Sequence, residues 1–135
     1  MSLQDFSTVL FRERHLLELL LFKLEEEELL LAAGRTRWLS HASREVETVL
    51  DELAAAELSR ATALHDVAAE LGLSPDSATL GSVVGSAPTP WDGIFSEHQE
   101  ALRGLTGEVL DTAAANRQQL REGYDVIRRA LAVAE

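Results

Sequence analysis

Residues 16–31 read Leu-Leu-Glu-Leu-Leu-Leu-Phe-Lys-Leu-Glu-Glu-Glu-Glu-Leu-Leu-Leu, and this stretch decides the fold. Leu3, Leu10, Leu17, Leu24 and Leu31 recur every seven residues, the repeat of a helix lying along a partner helix. Leu16, Leu20, Leu21 and Leu30 widen the apolar surface beyond a two-helix seam. A single neighbour would leave leucines in water, so the stretch is expected to be the central helix of a bundle. It is not a membrane span, because Glu18, Lys23 and Glu25 to Glu28 interrupt it well before about 18 uncharged residues accumulate.

Working outward, the first helix is expected to begin between Leu3 and Ser7, with Ser7 as its cap and Phe6 as a hydrophobic staple. Gly34 is the first helix-ending residue, and the few residues after it leave room only for a tight turn into an antiparallel neighbour. That neighbour should run from Thr36, as cap, to Leu71. Val46, Val49, Leu50, Leu53, Leu64 and Val67 lie on its apolar face at spacings of three and four, and alanines on the same face allow close backbone approach. Gly72 ends it.

From Gly72 to Pro90 the composition shifts to Gly, Ser, Pro and Thr, which reads as a crossover. Ser74-Pro75-Asp76 has the order of a cap and first turn, so a short helix over 75–84 is expected there. Thr89 and Pro90 then start the last helix. Trp91, Phe95, His98, Leu102, Leu105, Val109, Thr112 and Asn116 share its core face, continued less strictly by Leu120, Tyr124, Ile127 and Leu131. The expected architecture is all-α: an elongated, coiled-coil-like three-helix antiparallel bundle in one domain. Its helices cover 5–33, 36–71 and 90–133, with the short extra helix in the crossover. The last helix should overhang the second by about 12 Å. Gly93, Gly104 and Gly107 lie off its core face, each costing about 1 kcal/mol of helix stability relative to alanine; they mark either drift on a solvated surface or deliberate pliancy.

Composition excludes several functional classes. The 135 residues suit one domain, with no room for a separate catalytic one. Against 12 Lys and Arg stand 23 Asp and Glu, a net charge of -11 spread over the whole chain. Such a field repels nucleic acid and anionic lipid and favours basic or neutral partners. Without cysteine there is neither a disulfide framework nor a thiolate zinc site. Asp5 stands where an export signal would carry basic residues, and no long apolar core follows, so a cytoplasmic protein is expected.

An active site is not expected either. Di-iron helical enzymes use Glu-x-x-His pairs, but the residues three before His15, His41, His65 and His98 are Arg12, Trp38, Thr62 and Phe95. His41 and Glu45 share a helix face, yet one such pair supplies too few metal ligands. Ser40 lacks a nucleophile signature, and the crossover glycines match no phosphate-binding pattern. No catalytic residue, cofactor or metal is expected.

The leucine-rich first helix with Leu24-Glu25-Glu26-Glu27-Glu28-Leu29, the short turn into a helix carrying Arg44-Glu45-Val46-Glu47, and the late Asn116-Arg117-Gln118-Gln119-Leu120 together resemble the FlgN-type flagellar export chaperones. The likeness covers nearly the whole chain, crossover included. It implies a cytoplasmic type III export chaperone that holds the C-terminal helical segment of hook–filament junction proteins, FlgK-like and FlgL-like. Such a chaperone prevents premature assembly or aggregation and delivers its clients to the export gate or its ATPase. Few residues follow Leu131, so an extended disordered arm would be absent.

In that family the C-terminal helix binds the client, a role carried here to Val109, Leu120, Tyr124, Ile127 and Leu131, with Leu105, Leu110, Ala113 and Val126 as weaker candidates. Each has a competing role. Val109 and Leu105, mid-helix, also suit the bundle core. Residues beyond Leu120 are poised between core and interface, since the overhang removes part of their cover. Asn116 either fixes helix register, as a lone buried amide does in coiled coils, or bonds a client backbone. Trp38 and Trp91, at helix starts, read as end plugs of the bundle. Glu25 to Glu28 read as a solvated face, with attraction of basic clients as the second possibility. The alternative to the chaperone is a coiled-coil scaffold or regulator that self-associates through its last helix.

Overall fold

The computed structural model describes the backbone of residues 2–134 and the side chains of residues 2–119, Arg121 and Ala132. All regular structure among them is helical: α1 (Leu3–Ala32), a 3-10 turn (Thr36–Trp38), α2 (Leu39–Glu70), α3 (Leu80–Ser86) and α4 (Trp91–Ala134). Together these form a packed helical bundle.

The helix ends follow local hydrogen-bonding chemistry, in places different from that expected. Ser2, not Ser7, caps α1. Its hydroxyl accepts the Asp5 N–H at 3.1 Å, and the Asp5 carboxylate accepts the Ser2 N–H at 3.3 Å. This reciprocal box satisfies two orphan donors and starts the helix at Leu3, leaving Ser7 buried inside it. Phe6 is accordingly core rather than staple. Gly34 (φ 68°) and Gly72 (φ 74°) terminate α1 and α2 in the left-handed region. Arg35 N–H reaches back to the Leu30 carbonyl at 2.8 Å, and Leu73 N–H to that of Ala68 at 2.9 Å, the bonds of a Schellman turn.

Thr36 does not cap α2. It opens the 3-10 turn instead, and α2 starts at Leu39 without a side-chain cap, the Trp38 N–H being taken by the Arg35 carbonyl at 3.3 Å. The short helix is likewise set by Thr79 and Ser82, another reciprocal box, and not by Ser74-Pro75-Asp76, so it begins at Leu80. At the start of α4 the Pro90 carbonyl accepts the Ile94 N–H at 3.3 Å, which places Pro90 rather than Thr89 at the cap.

α1 lies between its two long neighbours. α2 runs back along it, as shown by Glu27 meeting Ser43, Lys23 meeting Glu45 and Glu13 meeting Arg60. α4 runs in the same direction as α1, with His98 beside Ser7 and Asn116 beside Leu24 and Glu27. Antiparallel packing therefore describes α1 with α2, whereas α1 and α4 are parallel. Among the described residues the backbones of α2 and α4 make no close approach to each other.

Two apolar clusters hold this arrangement. In one, Leu16, Leu20 and Leu24 of α1 meet Val49 and Leu53 of α2 and Val109 of α4. In the other, Phe6 and Leu10 meet Ala63, Val67, Val83 and Phe95, so that α3 closes the end of the bundle. Buried alanines at 42, 56, 63 and 68 line α2, in keeping with close packing, while Leu50 is exposed.

Candidate binding surface

α4 has 44 residues against 30 in α1 and 32 in α2. The pairs Ser7–His98 and Leu24–Asn116 set its register on α1. Carried forward at about 1.5 Å per residue, that register places the end of α1, Ala32, opposite about residue 124. The remainder of α4 therefore outruns both partners. The side chains of Leu120, Tyr124, Val126, Ile127 and Leu131 lie outside the described residues.

The earlier part of α4 divides between core and surface. Val109, a candidate binding residue from the sequence, is buried among Leu16, Leu20 and Val49 and belongs to the core. Leu105 and Ala113 are half-buried against the same cluster. Leu110 is 58% exposed, on the side of α4 away from the core.

At Asn116 the three long helices meet in a polar node. The Asn116 side-chain amide donates to the Leu24 carbonyl at 2.9 Å and to Glu27 Oε1 at 3.0 Å, while the Ser43 hydroxyl donates to Glu27 Oε2 at 2.9 Å. Both neighbours of the amide are acceptors, so its nitrogen must face them. Asn116 is 1% exposed and Glu27 7%. The glutamate run is therefore not uniformly solvated: Glu27 turns inward, because on a helix of this pitch one of four consecutive residues must approach the buried side. Nothing in the sequence distinguishes it from Glu25, Glu26 and Glu28 except its place in the leucine repeat.

Three further polar side chains, Ser7, Glu13 and His98, are buried toward the other end. His98 is 1% exposed. Arg14 Nη1 lies 3.2 Å from its Nδ1, which must accept because guanidinium only donates, so Nε2–H donates to the Ser7 hydroxyl at 2.9 Å. The ring is therefore neutral, and burial together with the Arg14 charge holds its pKa below the ordinary histidine value. Glu13 on α1 pairs with Arg60 on α2 at 3.2 Å. Its second oxygen, Oε2, is buried without a hydrogen bond, and burial outweighs the arginine to raise its pKa.

The tryptophans have separate environments. Trp91 stacks on Phe95, centroids 5.8 Å apart, and joins the end cluster. Trp38 joins neither cluster and is 47% exposed. With Leu29, Leu30 and Ala42 it forms the apolar lining of a cleft of about 360 Å³ between α1 and α2, flanked by Glu26, His41 and Glu45. Here His41 Nδ1 contacts Arg44 at 3.3 Å and the Glu45 carboxylate holds Lys23 at 2.8 Å. That ion pair lowers the Glu45 pKa and raises the Lys23 pKa. Sequence reading missed this cleft, since Leu29 and Leu30 read as bundle leucines and only the tight turn brings Trp38 over them.

Among the described residues no helix is long and apolar enough to cross a membrane, and no group of three His, Asp or Glu side chains converges to hold a metal ion. A family model described as FlgN protein matches residues 1–134. No curated protein and no solved structure matches the chain.

Proposed function

Because the chain belongs to the FlgN protein family, a family of flagellar export chaperones, we propose that it binds the C-terminal helical segment of hook–filament junction proteins in the cytoplasm. It keeps that segment from pairing too early and hands it to the flagellar export gate or its ATPase. The reading is supported above all by the unequal helices. α4 carries more residues than either partner helix covers, and its core-face pattern runs on through Leu120 and Tyr124 to Ile127 and Leu131, the last two beyond the position opposite the end of α1. A helix whose apolar pattern runs past the ends of its partner helices is suited to pairing with another amphipathic helix.

Two features fit such a role. The net charge of -11 resists self-association. The first part of α4 is fixed by Phe95, His98 and Val109, so the binding end is presented from a rigid base. No catalytic group or cofactor is assigned.

The test is calorimetric titration of the protein with C-terminal segments of the junction proteins of its own organism, with the flagellin C-terminus as control. Saturable binding with a negative heat-capacity change is expected, and Ile127→Asp with Leu131→Asp should abolish it at nearly unchanged melting temperature. Absence of binding to every junction segment by folded, monodisperse protein would refute the reading. It would leave self-association through α4 as the alternative.

A further inference from the structure

We propose that Glu27 is a positioning residue for the C-terminal half of α4, fixing the rotation and register in which that half is presented. Its functional consequence rests on the chaperone reading; its structural part does not.

α4 is held in two different ways. From Trp91 to Val109 it buries Phe95, His98 and Val109 and half-buries Trp91, Leu102 and Leu105, a mainly apolar seam with one hydrogen-bonded side chain, His98. From Leu110 to Gln119 the one buried side chain is Asn116, with Thr112 and Ala113 half-covered. What fixes this second stretch is directional. The Asn116 amide needs the Leu24 carbonyl and Glu27 Oε1 together, and a one-residue slip would turn it by about 100° and shift it about 1.5 Å, losing both. Glu27 is itself oriented by the Ser43 hydroxyl of α2. Through it α4 takes its rotation from a helix whose backbone it does not approach among the described residues.

The two stretches join where the helix is weakest. Gly104 and Gly107 lie just before Val109, and a Cβ at either would meet nothing within 4 Å. Packing does not require glycine at these positions, and both lower helix propensity. Beyond the glycines Val109 gives an apolar hold, but residues past it need a directional fixed point if they are to keep one orientation. The Glu27 node is that point, and it preorganises the segment that follows for its partner.

Hydrogen exchange on the full-length protein, resolved along α4, tests this with Glu27→Leu and Glu27→Gln. Leucine removes the acceptor from Asn116. Glutamine restores it, its carbonyl oxygen accepting from Asn116 and its amide donating to the Ser43 hydroxyl. With leucine, protection of amides 110–119 should fall at least tenfold relative to amides 95–103 of the same molecule, and with glutamine the ratio should stay within threefold of wild type. Where Glu27→Leu lacks native helicity, Asn116→Ala serves in its place, with the same expected loss. An equal change in both stretches, no change, or a glutamine variant that behaves like leucine overturns the proposal. Titration with the junction-protein segments then reads the consequence: Glu27→Leu should weaken binding at least fivefold and Glu27→Gln should restore it. Failure of wild-type protein to bind refutes the chaperone reading alone, because the exchange pattern is measured without any client.

Discussion

Replacing Phe95 by alanine tests whether the aromatic cluster is what anchors α4. Phe95 is fully buried, its ring 5.3 Å from Phe6 and 5.8 Å from Trp91 by centroid. It also belongs to the cluster holding Leu10, Val67 and Val83. Truncating such a residue removes its transfer free energy and leaves a cavity, together worth about 3–5 kcal/mol. A chain of 135 residues unfolds with an entropy of roughly 0.28 kcal/mol per kelvin, so the melting temperature should fall by about 11–18 °C. Helical circular dichroism during heating reads this, and urea titration checks it through the midpoint at constant slope. Leu110→Ala is the control on the same helix: Leu110 is 58% exposed, and its loss should shift the midpoint by less than about 2 °C. A drop below about 5 °C for Phe95→Ala, or one equal to that of Leu110→Ala, would refute the assignment of the anchor to this cluster.

Three further outcomes are expected. His98 is neutral in the fold with its pKa held down, so below about pH 6.5 the unfolded chain takes up a proton that the native ring does not, and stability falls as pH is lowered through that region. Glu13, raised by burial, acts with the opposite sign, losing stability as pH rises from its ordinary value. The profile of His98→Gln is therefore subtracted from wild type, and a difference flat between pH 8 and 5 would refute the assignment. Gly34→Ala should cost about 1–2 kcal/mol from backbone strain alone, since φ is 68° and a Cβ there meets nothing; urea unfolding measures it, and a neutral result would contradict the left-handed turn. In a Trp91→Phe background, Trp38 should emit near the fluorescence maximum of solvated indole and be quenched by iodide, as its 47% exposure requires; a blue-shifted, unquenched spectrum would mean that the cleft is closed.

Much of the bundle was legible in the leucine spacing, because covering apolar surface on several sides of one helix admits few solutions. The positions of Gly34 and Gly72 were legible for a similar reason, the left-handed turn being costly for any residue with a Cβ. Boundaries set by capping were less so. Ser2, Ser7, Thr36, Ser74 and Thr79 are all acceptable caps in isolation, and the choice among them depends on whether the third residue on can return a bond, as Asp5 and Ser82 do. Of the candidate site, the core face of α4 was legible through Asn116, but its periodicity could not separate Val109, which meets α1 and α2, from residues further along.

The amino-acid sequence by itself determined an all-helical acidic chain, the central place of α1, the C-terminal ends of α1 and α2 and the family to which the chain belongs. All of these follow from local propensity or from a repeat visible along one helix. Tertiary structure alone decided that α4 lies parallel to α1, that Glu27 meets Ser43 and Asn116, and that Trp38 lies over a cleft while Trp91 fills the end of the core. Each depends on which surfaces meet, across a tight turn for Trp38 and across as many as 89 residues for Glu27 and Asn116, and a local pattern of hydrophobicity is the same whichever neighbour arrives.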